Sequence, residues 1–263
     1  MTELPLDVYE TDLASVPRGD GVRDLVMTDR WNTPLGRPNG GYILAAMLRG
    51  LGEELDAGDP LVAAITYLAP PANGPAEIHT EVVKLGKRVR TGSARLIQDE
   101  RLIATVQVSY GGRSGVTVEL GATPALPAPD ALPDPREHGM PGGGIFDRVD
   151  YRLASVPGWF LGKPSGDPTV ELWQRRNDGR VADWPTLAFL CDSFAPPSLE
   201  LDGVQNSMTL QLTVHFHRLP TTPWIATRLT TSHVVDGMHD EDCELWDEQG
   251  NLLAQSRQLA ILL

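Results

Sequence analysis

Few stretches of this chain bring together residue types that do chemistry, and most familiar arrangements are missing. The nearest approach to a nucleophile elbow, Gly112-Arg113-Ser114-Gly115, does not match Gly-x-Ser-x-Gly. No Walker loop and no dinucleotide fingerprint occurs. His215 and His217 share one face of a strand, as a metal pair would, but no third ligand follows at a recognisable spacing, so no metal or other cofactor is expected. Cys191 and Cys243 make neither a disulfide framework nor a zinc site. Lys84, Lys87, Arg88 and Arg90 form a local basic cluster that suits either the phosphates of a small ligand or a solvated strand–turn–strand surface.

The elements that would position such residues come in two similar sets, offset by about 150 residues. Thr66-Tyr67-Leu68-Ala69-Pro70-Pro71 leads to Leu102-Ile103-Ala104, and His215-Phe216-His217-Arg218-Leu219-Pro220 leads to Leu252-Leu253-Ala254. A charged turn precedes each closing step, and an apolar helix candidate precedes each unit. Two units of this length point to a duplicated domain, not a solenoid.

In the first unit, Asn39 is a good N-cap for a helix carrying Ile43, Leu44, Met47, Leu48 and Leu51 at helical spacing, near residues 40–51. Strands are expected from Val62 onward, at Ala76 to Leu85, Gly92 to Gln98 and Leu102 to Tyr110. In the second, Asp183 caps a helix near 183–193, with Pro185 tolerated in its first turn. Its strands are expected at 147–152, 170–175, 208–217, 224–231, 242–246 and 252–262. One helix followed by a meander of long strands is the pattern of a helix wrapped by an antiparallel sheet. Between the units, the prolines of 122–144 and Gly142-Gly143-Gly144 read as an extended linker without a packed element. The expected division is 1–121, an N-terminal unit; 122–144, the linker; and 145–263, a C-terminal unit carrying the chemistry.

Composition narrows the function classes. A net charge of −13 argues against the broad basic face that nucleic acid requires. No apolar run approaches the roughly 20 residues of a membrane span. The acidic opening Met1-Thr2-Glu3-Leu4-Pro5-Leu6-Asp7 lacks the basic and apolar regions of a secretory signal, so a cytoplasmic protein is expected.

Asn39-Gly40-Gly41-Tyr42, Tyr67-Leu68-Ala69-Pro70, Trp173-Gln174-Arg175, Phe216-His217-Arg218 and Leu253-Ala254-x-Ser256-x-Gln258, in that order, resemble the double-hotdog acyl-CoA thioesterases, and most closely the bacterial acyl-CoA thioesterase II type. The resemblance spans nearly the whole chain. It implies an α+β fold of two hotdogs in tandem, each a long helix wrapped by an antiparallel β-sheet. It implies hydrolysis of a fatty acyl-CoA to free acid and CoA, and self-association into a homodimer or larger homo-oligomer.

The family's catalytic Asp, Thr and Gln carry over to Asp192, Thr209 and Gln258. A carboxylate near a helix C-terminus opposes the helix dipole, which favours a functional over a structural reason for Asp192. The helix start at Gly40, Gly41 and Tyr42 is expected to meet substrate, with backbone amides as oxyanion donors, and Arg88 and Arg90 to meet the CoA phosphates. Two departures stand out: Gln258 is followed by Leu259-Ala260 where well-known members have Glu-Gly, and Pro196-Pro197 follows Asp192. Strict alternation also turns Thr209 away from the apolar face of Leu210, Leu212, Val214 and Phe216, unless a bulge re-aims it. A non-catalytic acyl- or lipid-binding hotdog is the alternative from another functional class. A hotdog hydratase is disfavoured because Pro197 stands where its histidine would follow Asp192.

Overall fold

The computed structural model describes residues 7–118, 121–140, 142–204 and 206–263. The first six residues of the acidic opening, residues 119–120 of the first expected unit, and Pro141 of the proline run lie outside them.

In chain order the elements are α1 (Val8–Leu13), β1 (Val16–Gly19), β2 (Val22–Met27), α2 (Gly40–Glu54), β3 (Pro60–Tyr67), β4 (Gly74–Leu85), β5 (Val89–Gln98) and β6 (Arg101–Gly111). Then follow β7 (Val149–Leu153), β8 (Thr169–Arg176), α3 (Trp184–Leu190), β9 (Ser207–Phe216), β10 (Ile225–Thr230), β11 (Val234–Val235), β12 (Met238–Trp246) and β13 (Leu252–Leu262). All strands join one antiparallel sheet in the order β1-β2-β4-β5-β6-β3-β9-β13-β12-β10-β8-β7, with β11 on β12. Read outward from its middle, the order is the same in both directions. This is the double hotdog.

The halves meet where β3 pairs with β9, and there Ala64 lies opposite Thr213. The repeat that aligns Tyr67 with Phe216 aligns these two residues as well, so the pair sits on the local two-fold relating the halves.

Asn39 Oδ1 accepts from the Tyr42 amide (3.0 Å) and starts α2. The helix is apolar nearly all round, burying residues 41–48, 50 and 51, so it can only be stable inside the sheet that wraps it. It runs past Gly52 to Glu54, one turn further than its spacing suggests, because Leu51 and Leu55 are anchored beneath β5 at Gly92. Asp183 Oδ1 accepts from the Thr186 amide (2.8 Å) and starts α3. This helix is shorter than expected. Its last carbonyls turn to other partners, Leu190 O taking Gln174 Nε2 at 3.0 Å, and Pro196-Pro197 prevents resumption.

The linker expectation needs correction. Residues 122–140 include short 3-10 turns at Pro129–Ala131 and Pro135–His138, and the segment is packed. Leu126 and Leu132 lie on an outer-face cluster of Trp173, Trp224, Ala226 and Trp246, and Trp173 Nε1 donates to Pro127 O (2.8 Å). Prolines hold the strap extended, and their carbonyls remain free to accept a hydrogen bond. No helix among the described residues is long and apolar enough to cross a membrane.

Candidate active site

The start of α2 packs against the end of α3, and Asp192 lies between them. Asn39 Nδ2 donates to Asp192 O (2.7 Å) and to Asp192 Oδ2 (3.2 Å), while the Gly41 amide donates to the same Oδ2 at 2.8 Å. Asn39 therefore caps its own helix with one end of its amide and holds Asp192 with the other. The approach is so close that a Cβ on Gly41 would stand 2.6 Å from Phe189 O, and one on Gly40 2.8 Å from Asp192 Oδ2. Tyr67, at the end of β3, donates to Gly40 O (2.8 Å) and closes the same corner.

Asp192 keeps some accessible surface, yet the protein around it desolvates the carboxylate. Burial pushes its pKa up to about 6, against the opposing effect of the Gly41 and Asn39 hydrogen bonds. A group poised there is largely ionised at neutral pH and basic enough to take a proton.

Thr209 reaches the inner face through a bulge. Across β9 and β13, Leu259 faces Gln211 but Ala260 faces Thr209, so Leu210 is the extra residue and the alternation reverses beyond it. Thr209 Oγ1 donates to Gln258 Oε1 (3.0 Å), and Gln258 Nε2 donates to Glu241 Oε1 (2.6 Å). Gln258 and Glu241 are cross-strand partners, each nearly fully buried. Glu241 is held well above the usual carboxylate range by burial first and by the nearby Asp192 charge second, so this chain of hydrogen bonds and Asp192 share one region. A sulfur contact between Cys191 and Cys243 fixes the end of α3 over β12 at the same level.

Other expected contacts fall elsewhere. Tyr42 is fully buried, stacks on Trp31 and donates to Asp12 O (2.9 Å), so its side chain belongs to the core. The Gly41 amide is already taken by Asp192 and is no oxyanion donor; Gly40 supplies the remaining first-turn amide. Arg90 donates to Leu55 O (2.9 Å) and Asp56 O (2.6 Å), closing the far end of α2. A helix of 15 residues spans roughly 20 Å, which separates Arg90 and its exposed neighbour Arg88 from Gly40. Among the described residues no group of three or more His, Cys, Asp or Glu side chains is arranged to hold a metal.

Glu241 and Tyr67 were not identified as site residues by sequence. Glu241 sits in the acidic run Asp240-Glu241-Asp242, which reads as the end of a loop; β12 in fact begins at Met238. The signal was present in the alternation of Glu241 with Cys243 and Leu245 on one face. For Tyr67 the signal was its hydroxyl, since the repeat places Phe216 at the equivalent position.

The equivalent corner in the other half is filled. Trp184 takes the place of Gly40 at the helix start, packed edge-on to Phe216 (5.9 Å between centroids) with Arg113 over its ring. Where Glu241 faces Gln258, Gly92 faces Val108, and a Cβ on Gly92 would stand 2.7 Å from Leu55 Cδ1.

Comparison with known proteins agrees with this architecture. Residues 27–111 match the acyl-CoA thioesterase N-terminal domain, and residues 124–262 match the acyl-CoA thioesterase C-terminal domain. An uncharacterized protein of Mycobacterium tuberculosis is 26% identical over 77% of this chain and 76% of its own length. The solved structure of a Thermobifida fusca protein assigned to thioesterase II superposes with a TM-score of 0.88 at 26% identity, covering 98% of each chain. Acyl-CoA thioesterase II of Mycobacterium marinum superposes at 0.76 over 97% of this chain and 98% of its own; at 17% identity that is a likeness of fold. The mirrored strand order and the two matched domains together make this chain a member of the double-hotdog acyl-CoA thioesterase family.

Proposed function

We propose that the protein hydrolyses a fatty acyl-CoA thioester to the free acid and CoA, with Asp192, Thr209 and Gln258 as its catalytic residues. The observation that carries this reading is the convergence of a carboxylate poised near neutrality with a Thr209–Gln258 pair turned inward by a bulge. A water between Asp192 and Thr209 gives one proton to each as hydrogen bonds and points a lone pair at the thioester carbon. As the oxygen attacks, its proton passes to Asp192 and negative charge builds on the carbonyl oxygen, which accepts a hydrogen bond from the Gly40 amide. Collapse breaks the C–S bond, and the thiolate leaves with the proton returned by Asp192.

The test is a free-thiol release assay over a panel of acyl-CoA chain lengths. Turnover at one or more lengths supports the reading. An acyl ligand that copurifies with no turnover on any thioester overturns it in favour of a binding protein.

A further inference from the structure

We propose that Glu241 is a positioning residue of this site: its carboxyl group fixes which way the Gln258 amide points and thereby which way the Thr209 hydroxyl points. The inference rests on the hydrolytic reading for its consequence, though not for its geometry.

A glutamine amide has nearly the same shape when its oxygen and nitrogen are exchanged, and a threonine hydroxyl both donates and accepts. Left to themselves, Thr209 and Gln258 have two ways of satisfying each other. In one, the Thr209 proton goes to Gln258, and its lone pairs face outward. In the other, Gln258 donates to Thr209, and the hydroxyl proton faces outward. The first better suits a water that must act as a nucleophile. A water that donates one proton to Thr209 and the other to Asp192 keeps a lone pair for the carbonyl carbon. A water that accepts from Thr209 keeps only one lone pair free, and the donated proton draws electron density from its oxygen, which makes it the poorer nucleophile.

Glu241 decides between the two. Its Oε1 accepts from Gln258 Nε2 at 2.6 Å, which turns Gln258 Oε1 toward Thr209 Oγ1 at 3.0 Å. Thr209 donates to Gln258, Gln258 donates to Glu241, and the direction of the series is set at its buried end. Glu241 is 3% exposed, and its register with Gln258 across β12 and β13 sets the two side chains next to each other on the inner face. The groups that bear on it are Asp192 beyond α3, Asp242 beside it, the Cys191–Cys243 pair, and His239 two residues earlier on the same strand face. Burial and the Asp192 charge push its pKa well above the usual carboxylate range, and the oxygen that meets Gln258 is the acceptor, so the amide is held by its nitrogen end.

The test compares Glu241→Leu, which removes the acceptor, with Glu241→Gln, which keeps an acceptor oxygen of the same reach. Glu241→Leu is expected to lose ~10²-fold in kcat with KM changed less than about threefold, as small misplacements of a reacting group do. Glu241→Gln is expected to recover at least about a third of wild-type kcat and to leave the acid limb of the pH profile in place. A Glu241→Leu enzyme within about threefold of wild-type kcat overturns the proposal. So does a Glu241→Gln enzyme as slow as Glu241→Leu, or one whose acid limb moves, because charge and not orientation would then be the role. Should Glu241→Leu fail to fold, Glu241→Met takes its place with the same criteria.

A second measurement does not depend on turnover. In 15N-labelled protein the side-chain amide protons of Gln258 should be protected from solvent exchange in wild type and Glu241→Gln and lose that protection in Glu241→Leu. Equal protection in all three rejects the anchoring role. If wild type hydrolyses no thioester at all, the proposed function falls while this measurement still decides the placement of Gln258.

Discussion

The amide of Gly41, in the first turn of α2, donates at 2.8 Å to Asp192 Oδ2, two residues beyond the end of α3. The carboxylate and the helix start that holds it therefore come from different halves of the chain, and neither half contains the proposed site alone. Replacing Asp192 with Asn keeps an oxygen for the Gly41 amide but removes the base. Asp192→Asn is expected to cut hydrolysis by ~10²–10⁴ while acyl-CoA binding persists. A folded Asp192→Asn protein with near wild-type turnover on its best thioester would refute the assignment.

The same substitution should stabilise the protein. A carboxylate whose folded pKa is raised from 3.8 to about 6 binds its proton more tightly folded than unfolded, so stability falls as pH rises through that window. Above it the full cost of the buried charge is present. Removing the charge at neutral pH should therefore raise stability by roughly 1–2 kcal/mol, a figure reduced for the solvent access Asp192 retains. Urea titrations of both proteins at about pH 8 and pH 4 (about two units either side of 6) check this: the gap should be present at the higher pH and shrink at the lower.

Activity should run the other way. Below a pKa of about 6 the base is protonated, so kcat/KM should fall about tenfold per pH unit on the acid side and level off above it. A profile of kcat/KM against pH with no acid limb between 5 and 7, a range bracketing that value by about one unit, would show that Asp192 is not the titrating group.

Gly40→Ala places a methyl group 2.8 Å from Asp192 Oδ2 and 2.9 Å from the Tyr67 hydroxyl. Both belong to the site, so whichever yields, the geometry is lost. Alanine suits a helix, so the fold should hold. The expected result is a loss of more than about tenfold in kcat/KM with a thermal midpoint within a few degrees of wild type. Unchanged activity would mean that the corner has more room than these contacts allow.

Thr209→Ala and Gln258→Ala should each cost less than Asp192→Asn. Because the pair is joined by one hydrogen bond and, in the proposed mechanism, orients one water, the double variant should lose less than the product of the two single losses. Strictly multiplicative losses in kcat would indicate two independent roles.

Much of the fold was legible in the sequence because both halves obey simple periodicities. The alternation in β3, β6, β9 and β13, and the repeated Tyr67/Phe216 and Ala104/Ala254 positions, are enough to predict two helix-wrapping sheets. The segment before Asn39, which forms α1, β1 and β2, carries no comparable pattern. At the site, Asp192 and Gln258 could be placed by the elements that carry them, whereas the direction of Thr209 could not. A bulge is a property of two paired strands, and only the partner strand shows that Leu210 is the extra residue. Glu241 escaped for a related reason: a carboxyl group in an acidic run signals solvent, and what buries this one is Gln258, 17 residues further along.

The contrast between Gly40 and Trp184 has a consequence for how such a site can arise. In a symmetric pair of identical subunits, one gene sets both helix starts at once: a glycine opens two corners, a tryptophan closes two. Covalent fusion removes that constraint. Once the halves diverge, one corner is free to specialise in chemistry while its twin becomes packing that stiffens the junction. An assembly that began with two equal vacancies can thereby exchange symmetry for a division of labour, without altering the strand order that holds it together.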